Sequence, residues 1–289
     1  MIPEALIMTP LLTAGVFTFG LLIGSFLNVV IVRVPPRLEY DWRCQCNDLL
    51  DLPATNLKEE QPPGLVISRS RCPHCGHRIT ALENIPLASY FFLKGKCSSC
   101  HEKISPRYPI VELITAVLFL FAFLRFGFSP QLFGSLALIA GLIALSFIDI
   151  DHQLLPDCIT LPMLWLGLVL SCFGVFTNAV DAIAGAVLGY GILWSIYHLF
   201  RLVTGKEGMG YGDFKLLAAL GAWFGWQLIP LTILLSSFVG ALVGTTLIVM
   251  KRNPKGQTIP FGPYIAIAGI ASLLWGHAIV GAYLEYSGL

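Results

Sequence analysis

Gln131-Leu-Phe-Gly-Ser-Leu-Ala-Leu-Ile-Ala-Gly-Leu-Ile-Ala-Leu-Ser-Phe-Ile148 runs for 18 residues without a charge and ends directly on Asp149. As an α-helix it would rise about 27 Å, close to the roughly 30 Å of hydrocarbon in a bilayer. Similar runs lie near residues 11–34, 109–127, 159–177, 180–203, 213–227, 229–250 and 261–284, the run at 213–227 being short and polar-flanked. The fold expected is an all-α polytopic membrane protein of about eight transmembrane helices. Composition agrees: 56% of the 289 residues are hydrophobic and 12% charged, against about 25% charged in a soluble domain. A formal net charge of +1 makes no case for a nucleic-acid partner, and membrane lipid is the partner expected.

Orientation follows from the basic residues. With spans that alternate in direction, 17 of the 18 lysines and arginines fall on one side and only Arg125 on the other. The helix-proximal Arg33, Arg37 and Arg107, together with Arg201, Lys206, Lys215, Lys251, Arg252 and Lys255, make that side cytoplasmic and put both termini outside. Residues 1–10 carry no basic leader, so the first apolar run is expected to be retained as a helix.

Three segments are expected: a first transmembrane helix over 1–34, a cytoplasmic loop domain over 35–108, and a seven-helix membrane domain over 109–289. The loop contains Cys72-Pro-His-Cys75 and Cys97-Ser-Ser-Cys100, separated by 21 residues, and Lys58 lies upstream of them. Two C-x-x-C knuckles present four thiolates for a tetrahedral zinc ion, and a reducing cytoplasm argues against disulfides. With four cysteine ligands the site is closed, so zinc is expected to organise the loop without taking part in chemistry. Cys44 and Cys46 lack the knuckle spacing, and Cys158 and Cys172 read as apolar fillers of helices.

Carboxylates at membrane depth are costly and point to function. Asp149, with Asp151 and Asp157 beyond it, lies at the cytoplasmic end of the third span, and Asp213 at the cytoplasmic start of the sixth. Descending and ascending helices bring Asp149 and Asp213 to one depth, although they are 64 positions apart. Two carboxyls that share a site cannot both ionise easily; one stays protonated while the other activates water, which is aspartic-protease chemistry. Gly210 and Gly212 would let backbone approach a bound peptide and allow unusual dihedrals. Asp151 and Asp157 are either solvated loop acids or groups that orient the site or receive a basic leader. Glu207 and Lys215 flank the glycine loop and are either interfacial groups or substrate contacts. Glu112, near the start of the second span, is either a buried partner or a substrate contact.

The Gly210-Tyr-Gly212-Asp213 element, Asp149-x-Asp151 with Pro156-Asp157, the paired knuckles, the early Gly24-Ser-Phe-Leu-Asn28 and the late Pro260-Phe-Gly262-Pro263 together resemble bacterial type IV prepilin leader peptidases/N-methyltransferases. The resemblance spans nearly the whole chain and implies a multi-pass inner-membrane enzyme. Such an enzyme removes leaders from type IV prepilins and type II secretion pseudopilins at the cytoplasmic boundary. It then methylates the new N-terminus from S-adenosyl-L-methionine. Carried over, the catalytic pair falls on Asp149 and Asp213, and the zinc ligands on Cys72, Cys75, Cys97 and Cys100. Methyl transfer rests on the resemblance alone, since no G-x-G-x-x-G follows a strand and the loop is shorter than a nucleotide-binding domain of about 100–150 residues. The loop around Lys94-Gly95-Lys96 is its expected location. A proton-coupled transporter with a zinc-stabilised loop is the alternative, because proton relays also use membrane acids; it would be expected to show inverted repeats of broken helices, and none is evident.

Overall fold

A computed structural model of the chain describes residues 4–50, 61–65, 68–206, 208–250 and 260–287. Lys58, Glu207, Lys251, Arg252 and Lys255 lie outside those residues. Nine α-helices follow one another among the described residues, and they fall into two compact units, Met1–Phe123 and Leu124–Leu289.

In the first unit, α1 (Glu4–Leu49) packs against α3 (Arg107–Phe126) through small residues. A Cβ on Gly20 would stand 2.6 Å from the Ala116 Cα, and one on Gly24 2.6 Å from the Glu112 Cα. Glycine at these two places therefore sets how closely the helices approach. Phe19 and Phe119 add a ring contact with centroids 6.1 Å apart, and the Asn28 side chain donates to the Tyr108 carbonyl at 3.1 Å. The first helix does not end near residue 34, as the apolar run alone suggested. Pro35 and Pro36 remove amide donors, but Arg37–Leu49 holds no glycine or further proline to stop the turn, and α1 continues to Leu49. The connection expected to face water thus begins within a helix. Beyond it lie the cysteine knuckles, a short 3₁₀ turn at Leu82–Asn84 and the five-residue α2 (Ala88–Phe92).

The second unit holds α4 (Pro130–His152), α5 (Asp157–Cys172), α6 (Ala179–Thr204), α7 (Tyr211–Phe224), α8 (Ile229–Val249) and α9 (Gly262–Ser287). Ser129 caps α4 by accepting from the Leu132 amide at 3.4 Å, with Pro130 in the first turn where its missing N–H costs nothing. At the other end Gln153 takes a left-handed conformation, and its amide donates to the Asp149 carbonyl at 2.9 Å. Asn178 and Gly205 stop α6 in the same two ways.

Helix α7 lies at the centre and packs against α5, α6, α8 and α9, with nearly every residue from Asp213 to Phe224 buried. An apolar helix buried on all sides needs small residues somewhere, and here Gly185 and Gly189 of α6 receive it. A Cβ on Gly189 would stand 2.6 Å from the Leu217 carbonyl oxygen. The Gly185-x-x-x-Gly189 step is therefore a close crossing. Six helices among the described residues are long and apolar enough to cross a membrane, namely α1, α3, α4, α6, α8 and α9. With 16 and 14 residues, α5 and α7 fall short of that length, although each coincides with one of the eight expected runs.

Candidate active site

Asp149 ends α4 and Asp213 opens α7; both are buried, at 6% and 7% exposure, and Asp213 lies within reach of the Asp149 charge. A third segment closes on them. The Gly262 amide, at the start of α9, donates to the Asp149 Oδ2 at 3.0 Å, and a Cβ on Gly262 would stand 2.7 Å from that oxygen. Leu155 fills the space between the segments: a Cβ on Gly212 would meet its Cβ at 2.8 Å, and one on Gly262 its Cδ2 at 3.1 Å. Three segments remote in sequence thus meet at two acids, one backbone amide and one leucine.

The glycine loop works differently from the sequence expectation. Neither Gly210 nor Gly212 has a positive φ, and Gly210 is extended at φ −85° and ψ 151°, open to any residue. Gly212 is required by its close approach to Leu155, whereas a Cβ on Gly210 would meet no atom within 4 Å. Packing, not dihedral freedom, accounts for glycine at 212.

Asp157 does not stand alone in a loop. It opens α5, and both its carboxylate oxygens accept from the Lys215 ammonium, at 2.8 and 2.7 Å. Since Lys215 lies two residues beyond Asp213, this ion pair ties the start of α5 to the start of α7. Asp151 is exposed in the last turn of α4. Glu112, in the first unit, is buried at 8% exposure and accepts from the Leu87 amide at 2.8 Å. Leu87 carries a positive φ of 59°, so Glu112 holds a strained turn of the cysteine loop against α1 and α3.

The cysteine loop is a duplicated knuckle. The Cys72 amide donates to the His77 carbonyl at 2.9 Å and the Gly76 amide to the Cys72 carbonyl at 2.9 Å; the same pair recurs from Cys97 to Glu102 at 2.8 Å and from His101 to Cys97 at 3.0 Å. Gly76 and His101 occupy the equivalent left-handed positions. The four sulfurs of Cys72, Cys75, Cys97 and Cys100 lie within 4.8 Å of one another, with Cys72 to Cys100 at 3.9 Å and Cys75 to Cys97 at 4.0 Å. Ligands about 2.3 Å from a tetrahedral ion are about 3.8 Å apart, so the cluster could hold a metal ion.

Charge makes the same point. Backbone amides of Cys75 and His74 lower the Cys72 thiol to about 7. The Glu102 amide favours the Cys100 thiolate, but desolvation and the neighbouring Cys75, Cys97 and Cys72 outweigh it and push Cys100 up to about 12. Four thiolates at this spacing would repel one another, so the set suits a cation among them. Glu83 buttresses the knuckles by accepting from the Ser98 hydroxyl and from the Thr80 amide at 2.8 Å, and these donors hold its carboxyl down to about 2. The sequence reading did not single out Gly262, Leu155 or Glu83. Pro260-Phe-Gly262-Pro263 was visible as a motif, but nothing local says that its amide meets an acid 113 positions earlier.

Comparison with known proteins places both units. Residues 18–126 match the bacterial Peptidase A24 N-terminal domain, and residues 136–245 match the type IV leader peptidase family. The chain is 56% identical over 274 residues to a prepilin leader peptidase/N-methyltransferase of Stutzerimonas stutzeri, covering 93% of both chains. To the protein of that name from Pseudomonas aeruginosa it is 54% identical, covering 93% of this chain and 92% of the other. To that of Dichelobacter nodosus it is 45% identical over 99% of both. No solved structure matches the chain.

Proposed function

The chain belongs to the bacterial prepilin leader peptidase/N-methyltransferase family, and on that premise we propose that Asp149 and Asp213 are the catalytic pair with which it cuts. It is a membrane enzyme that cleaves prepilin leader peptides in the manner of an aspartic protease. The observation that carries the residue assignment is the meeting of two buried carboxyls from different helices with the Gly262 amide. That amide occupies one oxygen of Asp149 and favours negative charge there. Asp149 takes the proton of an attacking water while Asp213, protonated, donates to the scissile carbonyl; each then returns to its starting state as the amine leaves. Gly210, Gly212, Leu155 and the Asp157–Lys215 pair position the two acids.

All eight apolar helices span or enter the inner membrane, with the acids and cysteine loop on the cytoplasmic side. In functional terms the chain divides into a first membrane helix (1–34), a loop domain (35–108) and a membrane domain (109–289). Substrates are type IV prepilins and type II secretion pseudopilins with a basic leader, a glycine before the cut and about 20 apolar residues after it. The glycine eases the unwinding that exposes the scissile carbonyl. Zinc is the ion suited to Cys72, Cys75, Cys97 and Cys100, and it holds the knuckles without reacting.

The same enzyme methylates the amine released by cleavage. S-adenosyl-L-methionine, when bound, would supply the methyl group for that amine. The test is a purified prepilin in reconstituted membranes, with the released leader weighed by mass spectrometry. Cleavage after the glycine is expected at the boundary. A junction moved one helical turn deeper is expected to resist, and efficient cutting of it would remove the depth assignment.

A further inference from the structure

The cysteine loop carries its exposed apolar side chains in one place. Between Gly64 and Arg107 the exposed large ones among the described residues are Leu82, Ile85, Phe91 and Phe92, with Phe91 73% and Phe92 86% exposed. An aromatic side chain buries about 150–250 Å² when covered, so an exposed pair beside two aliphatic side chains marks an interaction surface. The short α2 sets this out: Tyr90 packs inward against Gly95, where a Cβ would stand 3.0 Å from its hydroxyl, and the next two rings are left exposed.

Hydrogen bonds fix the depth of this segment. Glu112, inside the apolar run at 109–127, accepts from the Leu87 amide at 2.8 Å, and one turn on the Phe91 amide donates to the Leu87 carbonyl at 3.1 Å. At about 1.5 Å of rise per residue Glu112 lies about 7.5 Å beyond Arg107, so α2 is held level with the first turns of a membrane span. Ile110 and Leu113 of α3 are exposed at that level too. Lys94, Lys96 and Lys103 follow in the chain. All three are exposed, and among the described residues none pairs with a carboxylate. Lys96 and Lys103 stand opposite each other on an antiparallel bridge. Like charges so placed repel, and a layer of anionic headgroups would relieve the repulsion.

We propose that the segment from Leu82 to Phe92 is a bilayer anchor: Phe91 and Phe92, with Leu82 and Ile85, enter the boundary between headgroups and acyl chains of an anionic leaflet, and Lys94, Lys96 and Lys103 meet its phosphates. The inference rests on the membrane placement given above. It joins the two parts of interfacial binding, apolar burial and attraction to anionic lipid, on neighbouring residues. The anchor gives the cysteine loop a third attachment, after α1 and α3.

Fluorine resonance of the full chain in vesicles of phosphatidylethanolamine and phosphatidylglycerol tests the anchor. 4-Trifluoromethylphenylalanine takes the place of Phe91, of Phe92 or, as a reference within a membrane span, of the exposed Phe121 of α3. Each change keeps an aromatic ring, so the fold is retained. Signals at 91 and 92 are expected to broaden at least about threefold more with a nitroxide-labelled lipid than with an aqueous gadolinium chelate. Lys94→Gln with Lys96→Gln, or phosphatidylcholine in place of phosphatidylglycerol, is expected to remove about half or more of the lipid-borne broadening, and no change would overturn the role of the lysines. If Phe121 responds to the lipid while 91 and 92 respond to the chelate, or to neither because protein covers them, the anchor is refuted and the membrane placement stands. If Phe121 also responds only to the chelate, the placement fails and the anchor falls with it.

Discussion

The cysteine cluster and the aspartate pair are built on opposite plans. The cluster draws its four ligands from 29 consecutive residues, two of them exposed, and repeats one knuckle geometry twice. The aspartate site draws on segments around 149, 212 and 262, and its groups are held by helix packing, the Gly262–Asp149 hydrogen bond and the Asp157–Lys215 pair. A local site on a loop needs an ion to stay together. A dispersed site needs the whole membrane unit, and it fails through small steric errors. The two should therefore break in different ways.

The largest effect is expected at the cluster. Replacing Cys72 and Cys97 together by serine should take bound metal from about one ion per chain to none and open residues 68–106 to protease. Structural zinc contributes about 10–16 kcal/mol of apparent binding energy in small domains. Elemental analysis with limited proteolysis reads both, and a metal-free chain that resists protease as well as the unaltered one would make the ion dispensable.

At the dispersed site single atoms matter. Gly262→Ala puts a methyl where the Asp149 Oδ2 stands 2.7 Å away, and it should lower kcat/KM for leader removal by about a hundredfold. A loss under about threefold would mean that the amide contact is incidental. Gly212→Ala drives a methyl to 2.8 Å from the Leu155 Cβ and should cost about 1–3 kcal/mol of overpacking in stability. Adding Leu155→Ala should recover part of the melting temperature if the clash is the cause. No recovery would place the strain elsewhere. Smallest of all should be Asp157→Asn, because both partners of the Asp157–Lys215 pair are partly exposed and such pairs contribute about 0–1 kcal/mol. Activity is expected within about threefold of the unaltered enzyme, and a larger loss would make Asp157 more than a brace.

The same contrast decides what could be read from the residues. Cys72, Cys75, Cys97 and Cys100 are legible because knuckle spacing is a local signal. Asp149 and Asp213, the pair proposed to cut, could be singled out from the order of the apolar runs, and both are buried acids, at the end of α4 and the start of α7. Gly262 is not, because a backbone amide leaves no mark in the side-chain pattern. Nor is Leu155, whose role depends on the missing Cβ atoms of glycines in other helices. The apolar runs coincide with the six helices among the described residues that are long enough to cross a membrane, yet they missed the extension of α1 to Leu49, since hydropathy marks where apolar sequence ends and not where a helix ends. The permissive dihedrals expected at Gly210 and Gly212 were absent for a related reason: a glycine in sequence does not tell close approach from backbone freedom.

Cleavage of a prepilin by Asp149→Asn and by Asp213→Asn tests the central claim most directly. In reconstituted membranes, with metal content and melting temperature unchanged, each variant should release leader at least about a thousandfold more slowly than the unaltered enzyme, because neither carboxyl alone can both activate water and protonate the carbonyl. Leader release by either variant within about tenfold of the unaltered rate would contradict the account.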